Sequence, residues 1–595
     1  MFEIKHRDGL ARICTFKVNQ KKLTTPTMFV VYNPNIPTVD IKVIKKLKLP
    51  IITSTYILMK SKNLEEIKKK GIHRFLGYDG VIMTDSGAFQ AYQYRDIELK
   101  NEDVINFQKD INVDIGVILD VIVGDNENKE EVKKLCDITY ERAKELMSIG
   151  KGNILWAGPI QGGMHFDVIK ESCKRISSLD FDVFCIGSVV PFLESYRLDV
   201  VINQILTAKQ NLPFSKPVHL FGAGHPFIFS IASLLGIDLF DSAYYALAAK
   251  RGKYLLQSGQ SFNINEMNDV SCTCPICSKL KIREFTLSDL ATHNLYVIWE
   301  ELQTVKQAIL EQRIWELVEQ RIRAHPALVK AYNEIKKYKR FLEKFEPSSR
   351  KRGVLFFDDK SLKIRPIVPF TKNRLKNVDR LDCEKIKDNF EWCGLKVPKI
   401  LRGVYPFYQS VFPDVSYEES IDEMKMNLEN EKDKNEFWKN VLKFTLAYQY
   451  CFEASRFVEC VDLNFTFSKK RDEIARNVYS KDNELLGTIR ARDGFFIPTF
   501  KGAKILWELI PKNKFRVIVD EISEPFIKDG KNVFSKFIVK MSNNIHPFDE
   551  IFIENENGEL IACGTALLTK DEVEDFNYGM AVKTRDYLNK ERNLA

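Results

Sequence analysis

Gly80-Val-Ile-Met-Thr-Asp-Ser-Gly-Ala-Phe-Gln90 opens with an uncharged apolar run, Gly80–Thr84, and turns polar at Asp85. A short run without charges suits a strand buried on both faces, and the carboxylate after it suits that strand's end. Seven further short apolar runs, most of them uncharged, occur in the first 250 residues, at Met28–Tyr32, Ile51–Thr55, Ile115–Leu119, Ile154–Ile160, Val183–Ile186, Val218–Phe221 and Ile237–Phe240. Amphipathic segments such as Asn101–Ile111 and Lys129–Ile149 lie between several of these runs. Eight strand-helix units predict an α/β fold, a closed (β/α)8 TIM barrel; a doubly wound open sheet gives a similar rhythm.

Beyond the barrel, Leu295–Phe345 reads as helix, with apolar residues three and four apart and an interruption at Pro326. A break at Glu346-Pro-Ser-Ser-Arg-Lys-Arg-Gly353 precedes a mixed α+β texture. After Pro511, short strands begin at Phe515–Val519, Phe534–Lys540, Glu550–Glu554 and Leu560–Ala566, with turns at Asp529-Gly530 and Asn557-Gly558, the pattern of a small β-barrel. The division expected is a barrel domain over 1–348, with a metal subdomain at about 268–300, α+β domains over 349–435 and 436–512, and a terminal β-barrel over 513–595. A chain of 595 residues is long enough for about four domains.

Composition narrows the class. With 45% hydrophobic and 29% charged residues the chain is not mainly disordered. No apolar stretch is long enough for a membrane helix, and Met1-Phe-Glu-Ile-Lys-His-Arg-Asp8 puts charges where a signal peptide needs an apolar core, so a cytoplasmic protein is expected. The net charge of +8 permits an anionic partner without requiring one. Nine of the 12 cysteines are scattered singly, as buried reduced thiols would be.

The other three form Cys272-Thr-Cys274-Pro-Ile-Cys277. Thiolates are soft ligands, and zinc commonly takes four ligands in a tetrahedron. His293, 16 residues beyond Cys277, is a candidate fourth. Four protein ligands leave no open position, so such a site is structural. The plainer reading is three buried cysteines.

Three aspartates close apolar runs: Asp85 the third, Asp120 the fourth and Asp241 the eighth. In a parallel barrel these ends face one mouth. Each alone would suit a helix N-cap. Together, with Gln161-Gly-Gly163 and Gly187-Ser188 at two further strand ends, they point to an active site. Paired carboxylates serve displacement at an anomeric carbon, and a third can bind the N1–H and exocyclic amine edge of a guanine-like base.

These residues resemble the tRNA-guanine transglycosylase family. The resemblance rests on Asp85-Ser-Gly-Ala-Phe-Gln90, Gln161-Gly-Gly163, Gly187-Ser-Val-Val-Pro191, Phe240-Asp-Ser-Ala243, and Cys272-x-Cys274-x-x-Cys277 with His293-Asn-Leu-Tyr296, in the family's order. The Gly187 loop and the long extension look like the archaeal branch. Phe515–Lys583, with Gly564-Thr-Ala566 and Tyr578-Gly-Met-Ala-Val582, is similar to a PUA RNA-binding domain. The chain departs in having Ala88 where many members carry Gly or Ser, and in a short interval between Cys277 and His293.

The resemblance implies a pentosyltransferase that exchanges guanine at position 15 of the tRNA D-arm for 7-cyano-7-deazaguanine, the first step of archaeosine formation. It implies Asp241 as covalent nucleophile and Asp85 as general acid/base, roles that older descriptions of the family exchange. It also implies Asp120 at the base edge and a pocket of Ser86, Phe89, Gln161, Gly187, Ser188, Val189 and Val190. Zn2+ on Cys272, Cys274, Cys277 and His293, and a homodimer meeting near the zinc region and the long helix, are implied likewise. The residues alone leave open which aspartate attacks.

Basic clusters at Arg350-Lys-Arg352, Lys469-Lys-Arg471 and Lys528–Lys540 read either as solvated faces or, for the third, as a grip on phosphates. Other readings are a paralogue acting on the inserted nitrile base, a tRNA-binding protein without catalysis, and a metallohydrolase. The three aspartates argue against the first two. A Cys3His set, having no open metal position, argues against the third.

Overall fold

The computed structural model describes residues 1–87, 99–124, 128–381, 388–412, 431–468 and 471–592. The chain forms two compact units, Met1–Tyr338 and Lys339–Ala595.

In the first unit, three strands, β1 (Phe2–Asp8), β2 (Ala11–Val18) and β3 (Lys21–Thr25), form an antiparallel sheet. Eight follow: β4 (Thr27–Val31), β5 (Ile51–Ser54), β6 (Ile82–Asp85), β7 (Ile115–Val117), β8 (Leu155–Ile160), β9 (Val183–Ile186), β10 (Val218–Leu220) and β11 (Leu239–Ser242). They close into a barrel, β4 through β11 in chain order, with β11 pairing back onto β4. Every pair is parallel, and the return of β11 onto β4 leaves no open edge, which excludes the open-sheet alternative. Each apolar run anticipated from sequence lies on a barrel strand.

The sheet β1–β3 was not anticipated. Its strands mix charges with apolar residues, as a sheet with one buried face must. Phe2, Cys14, Phe16, Val18 and Leu23 share one core with Val81, Ile115, Val183 and Leu239 from the starts of barrel strands. The sheet thus plugs the end of the barrel at which its strands begin.

A buried ion pair locks the plug. Arg12 donates from Nε to Asp238 Oδ1 (2.9 Å) and from Nη2 to Oδ2 (2.8 Å), and from Nη1 to the Phe214 carbonyl (2.6 Å). Removing one partner of such a pair strands the other charge. Arg12→Ala is expected to lower stability by about 3–5 kcal/mol in chemical denaturation. A loss under about 1 kcal/mol would mean that Asp238 finds water instead.

The expected long helix is broken differently from the reading above. Leu287–Glu311 is one helix, opened by a Thr286–Asp289 capping box and stopped at Gln312 in a left-handed conformation. The next helix, Ile314–Arg321, starts with its Ile314 N–H held by Asp8 Oδ2 (3.1 Å). Pro326 begins the helix Pro326–Glu334. There it occupies the first helical position, where its missing N–H costs nothing.

In the second unit, a four-stranded sheet (Leu463–Ser468, Arg471–Ser480, Leu485–Ile489, Phe496–Pro498) accompanies helices Glu431–Gln449 and Phe500–Leu509. A core including Phe356, Trp392, Tyr405, Phe407, Tyr448 and Phe495 underlies this region. The C-terminal six-stranded sheet runs in the order Val533–Phe534, Met580–Tyr587, Leu560–Ala566, Glu550–Glu554, Arg516–Val519, Ile538–Met541. The run expected as one strand, Phe534–Lys540, is split by a 3-10 turn at Ser535–Phe537. Its halves lie at opposite edges of the sheet, so a three-residue turn brings the edges together and the sheet curls towards a barrel.

Arg350 does not belong to a solvated basic face. It is buried and donates to Glu346 Oε1 at 2.8 Å, while Lys351 and Arg352 are exposed. Lys469 and Lys470 lie outside the described residues. Among the described residues no helix is long and apolar enough to cross a membrane.

Candidate active site and metal cluster

The C-terminal ends of the barrel strands carry the polar residues singled out by sequence. Asp85 ends β6, and its Oδ1 accepts the Gly87 N–H at 2.8 Å. Ser54, its register partner at the end of β5, also hydrogen-bonds it. Burial outweighs these bonds and, with the charges of Asp241 and Asp120 adding to it, pushes the Asp85 carboxyl up to about 7. The carboxyl therefore exchanges its proton near neutral pH.

Asp120 lies just past β7. Its Oδ1 accepts from Ser86 Oγ (3.2 Å) and its Oδ2 from Gln161 Nε2 (2.5 Å). Burial raises its carboxyl above the ordinary range, opposed by the Ser86 and Gln161 hydrogen bonds and by the charge of Arg142. Gln161 is itself held: Ser188 Oγ donates to its Oε1, and Ser188 Oγ accepts the Val123 N–H at 2.9 Å. The amide is thereby oriented with its NH2 towards Asp120. Gly187 is required beside it, because a Cβ there would sit 2.5 Å from Gln161 Nε2. Ser188 is in the left-handed region at φ +55°, Val189 is buried, and Val190 packs over Gly222. Phe89 falls outside the described residues.

Asp241 is in β11, 8% exposed. Its Oδ1 accepts from His219 Nε2 (2.9 Å) and from the Gly222 N–H (2.8 Å). The site therefore assembles Asp85, Ser86, Asp120, Gln161, Gly187, Ser188 and Asp241 around one mouth. Three supporting residues escaped the sequence reading. Ser54 and His219 sit within barrel strands, and a polar residue inside an apolar run was the available signal. Gln108 gave none; it lies in a helix and clamps β6 to β7, accepting from Thr84 Oγ1 (2.7 Å) and the Val117 N–H (2.8 Å).

A second cluster lies elsewhere in the same unit. The Sγ atoms of Cys272, Cys274 and Cys277 and a ring nitrogen of His293 lie within 4.8 Å of one another. Tetrahedral coordination with metal–sulfur bonds of ~2.3 Å places ligand atoms roughly 3.8 Å apart, so one metal ion fits this donor set. His293 Nδ1 faces Cys277 Sγ (3.3 Å) and Cys274 Sγ (3.6 Å), while Nε2 lies 3.0 Å from the Leu255 carbonyl. That carbonyl holds the proton on Nε2 and leaves the Nδ1 lone pair for a metal. Tyr254 stacks on the His293 ring (centroids 3.7 Å apart), with its hydroxyl 3.2 Å from Cys277 Sγ. The short chain interval before His293 is thus no obstacle.

In the segment from Glu524 to Met541, Lys531, Lys536 and Lys540 are exposed, whereas Lys528 pairs with Glu524 at 2.5 Å. Of the exposed apolar residues, Ile522 and Phe526 precede these lysines in the chain, and Phe534 and Val539 lie among them.

Comparison with known proteins agrees with this arrangement. Residues 8–327 match the queuine tRNA-ribosyltransferase family. Residues 440–513 match the patch-forming domain C2 of tRNA-guanine transglycosylase, and residues 515–588 match the PUA domain. The chain is 39% identical to a Pyrococcus furiosus protein named tRNA-guanine(15) transglycosylase, covering 98% of this chain and 97% of that protein. Proteins of the same name from Methanocaldococcus jannaschii and Methanococcus aeolicus are 36% and 38% identical, over 98% of this chain and 99% of each relative.

Proposed function

Because the chain belongs to the queuine tRNA-ribosyltransferase family, the tRNA-guanine transglycosylases, we propose that it exchanges guanine 15 of tRNA for 7-cyano-7-deazaguanine through a covalent aspartyl-ribose intermediate. The observation that carries this reading is the placing of Asp85, Asp120 and Asp241 at one barrel mouth, with two of the carboxyls raised by burial and Asp241 held by two donors.

In this reading an Asp241 carboxylate oxygen bonds to ribose C1′ as the C1′–N9 bond breaks. The bonding pair leaves with guanine, and Asp85 donates a proton to N9. In the second half the Asp85 carboxylate takes the N9 proton of the incoming base. The N9 lone pair then displaces Asp241 from C1′, which retains configuration overall. Asp120 accepts from N1–H and the exocyclic amine, and Gln161 donates to O6. Ser86, Phe89 and the Gly187–Val190 segment line the base pocket.

Zinc is the metal we assign to Cys272, Cys274, Cys277 and His293, where it would tie the loop to the long helix without an open position for chemistry. A homodimer through this region and the exposed face of Leu287–Glu311 belongs to the same reading. So does extrusion of the target nucleotide, since a stacked guanine shields its C1′.

The test is to incubate the protein with unmodified tRNA carrying labelled guanine at position 15. Label release that depends on 7-cyano-7-deazaguanine, with that base recovered in the tRNA, is expected. Exchange confined to another position, or none with any base, would overturn the reading.

Adduct formation needs Asp85 protonated, and its carboxyl titrates at about 7. Protonated acid predominates below that pH and disappears above it. The single-turnover rate of adduct formation is therefore expected to fall as pH rises through about 7. A rate still rising there would assign the proton to another group.

The C-terminal domain is the proposed grip on tRNA. Deleting it is a poor test, because it shares buried partners with the rest of its unit. Arg374 pairs with Asp549 at 2.5 Å, and Asp586 Oδ2 accepts the Phe500 N–H at 2.9 Å. Replacing Lys531, Lys536 and Lys540 by Gln leaves those contacts in place. Losing three phosphate contacts should make the slope of log affinity against log salt shallower by about 2–3 units. An unchanged slope would remove these lysines from the tRNA interface.

A further inference from the structure

His219 lies within β10, in the wall of the barrel, and is wholly buried. A histidine in a run that is otherwise Val-Leu-Phe needs a physical reason. Its ring is stacked on Phe29 (centroids 5.7 Å apart) and meets the edge of Phe221 (4.7 Å). Only one of its two nitrogens is satisfied among the described residues. Nε2 lies 2.9 Å from Asp241 Oδ1, and Nδ1 is buried without a hydrogen-bond partner.

That asymmetry decides where the proton sits. With the proton on Nδ1, an N–H would be buried without an acceptor, and the Nε2 lone pair would face a carboxylate oxygen. With protons on both nitrogens, the Nδ1–H would again be stranded, which costs the full desolvation of a buried donor. A single proton on Nε2 satisfies the contact with Asp241 and leaves only a lone pair at Nδ1.

The consequence falls on Asp241. Its two oxygens are not equivalent: Oδ1 accepts both the His219 Nε2–H and the Gly222 N–H, and Oδ2 has no hydrogen bond among the described residues. A carboxylate oxygen holding two donors has its charge density drawn off and its direction set. We propose that His219 is a positioning residue that ties down Oδ1 of Asp241 and so presents Oδ2 as the oxygen that bonds to ribose C1′. The inference rests on the reading of Asp241 as nucleophile and goes beyond it by assigning the attacking oxygen and the group that selects it. In the attack, Oδ2 supplies the electron pair, the C1′–N9 bond breaks towards the base, and the His219 proton stays where it is. Holding one oxygen also removes a rotation that would otherwise be frozen on approach to the transition state.

The experiment compares three variants in single-turnover adduct formation with saturating tRNA. Gln reaches Asp241 with its Nε2 at nearly the place of the imidazole Nε2; Asn ends where Nδ1 was and falls short. His219→Gln is expected to recover most of the wild-type rate, while His219→Asn and His219→Phe lose roughly 10- to 100-fold, the worth of a hydrogen bond to a charged group. KM for the free base and Kd for tRNA should be unchanged in all three, a split that general damage to the barrel would not give. Gln and Asn are both polar and smaller than the ring they replace, so their comparison stands even where the Phe variant folds poorly. Equal rates for the Gln and Asn variants, or a loss appearing in KM alone, would overturn the proposal. Asp241→Ala is run alongside. If it still forms the adduct, the nucleophile reading falls and this inference with it; if its adduct is lost while the His219 variants match wild type, only this inference falls.

Discussion

Asp241→Ala is expected to yield no RNA–protein adduct on a denaturing gel, and base exchange slower by about 10^4-fold or more. Asp241 is the carboxylate in the strand that closes the barrel, two donors fix one of its oxygens, and the second oxygen is free of protein partners among the described residues. Asp85 is the other carboxylate in contention, but burial raises it to about 7, so much of it is protonated at neutral pH. A protonated carboxyl is a poor nucleophile and a good acid. Asp85→Ala should therefore slow adduct formation without abolishing the capacity to form it. Base binding measures the rest: Asp120 and Gln161 are untouched by either change, so affinity for the free base should hold within a few-fold. An adduct that persists in Asp241→Ala and vanishes in Asp85→Ala would exchange the two roles.

Cys274→Ser should lose metal and stability together. Three sulfurs and His293 lie close enough for one tetrahedral ion, and the cluster joins the Cys272–Cys277 loop to the helix Leu287–Glu311. Disturbing even an outer partner of a metal ligand typically costs about 10- to 100-fold in affinity, and loss of a ligand itself should exceed that. A metal present at 1,000 times its Kd stabilises the fold by about 4 kcal/mol, and that stabilisation would go. The measurements are metal content by mass spectrometry and thermal unfolding with and without chelator. Chelation of the wild type should reproduce the variant's lower Tm. A variant that is metal-free and inactive but as stable as wild type would make the metal catalytic instead.

The barrel was legible because its strands are short, mostly apolar and buried on both faces, so each announces itself locally. The residues from Val183 to Ile186 read as a strand without knowledge of their neighbours. The carboxylates after the third, fourth and eighth runs were legible for the same reason, since a charge at the end of such a run stands out. The metal cluster was legible through spacing, three thiols within six residues, although only the fold brings His293 to them. The sheet β1–β3 was hidden because its charged faces look like a solvated terminus, and its partners Val81, Ile115 and Leu239 are far along the chain. Arg350 was misread for a related reason: its neighbours Lys351 and Arg352 made it look like a surface residue, while burial beside Glu346 makes it part of a core ion pair.

By itself, then, the sequence determined what is periodic or local: eight strands, the residues at their ends, the thiol cluster and the change of texture after Pro511. The tertiary structure decided what depends on residues distant in the chain. Closure of β11 onto β4 is a pairing across some two hundred residues, and it brings Asp241 to the mouth that Asp85 and Asp120 share. The hold of Asp8 on the helix starting at Ile314, the curl of the C-terminal sheet and the Arg12–Asp238 lock are likewise contacts that no window of sequence contains. The elevation of Asp85 to about 7 has the same origin. A carboxyl's proton affinity is set by the water it has lost and the charges brought near it, and both are properties of packing rather than of the residue.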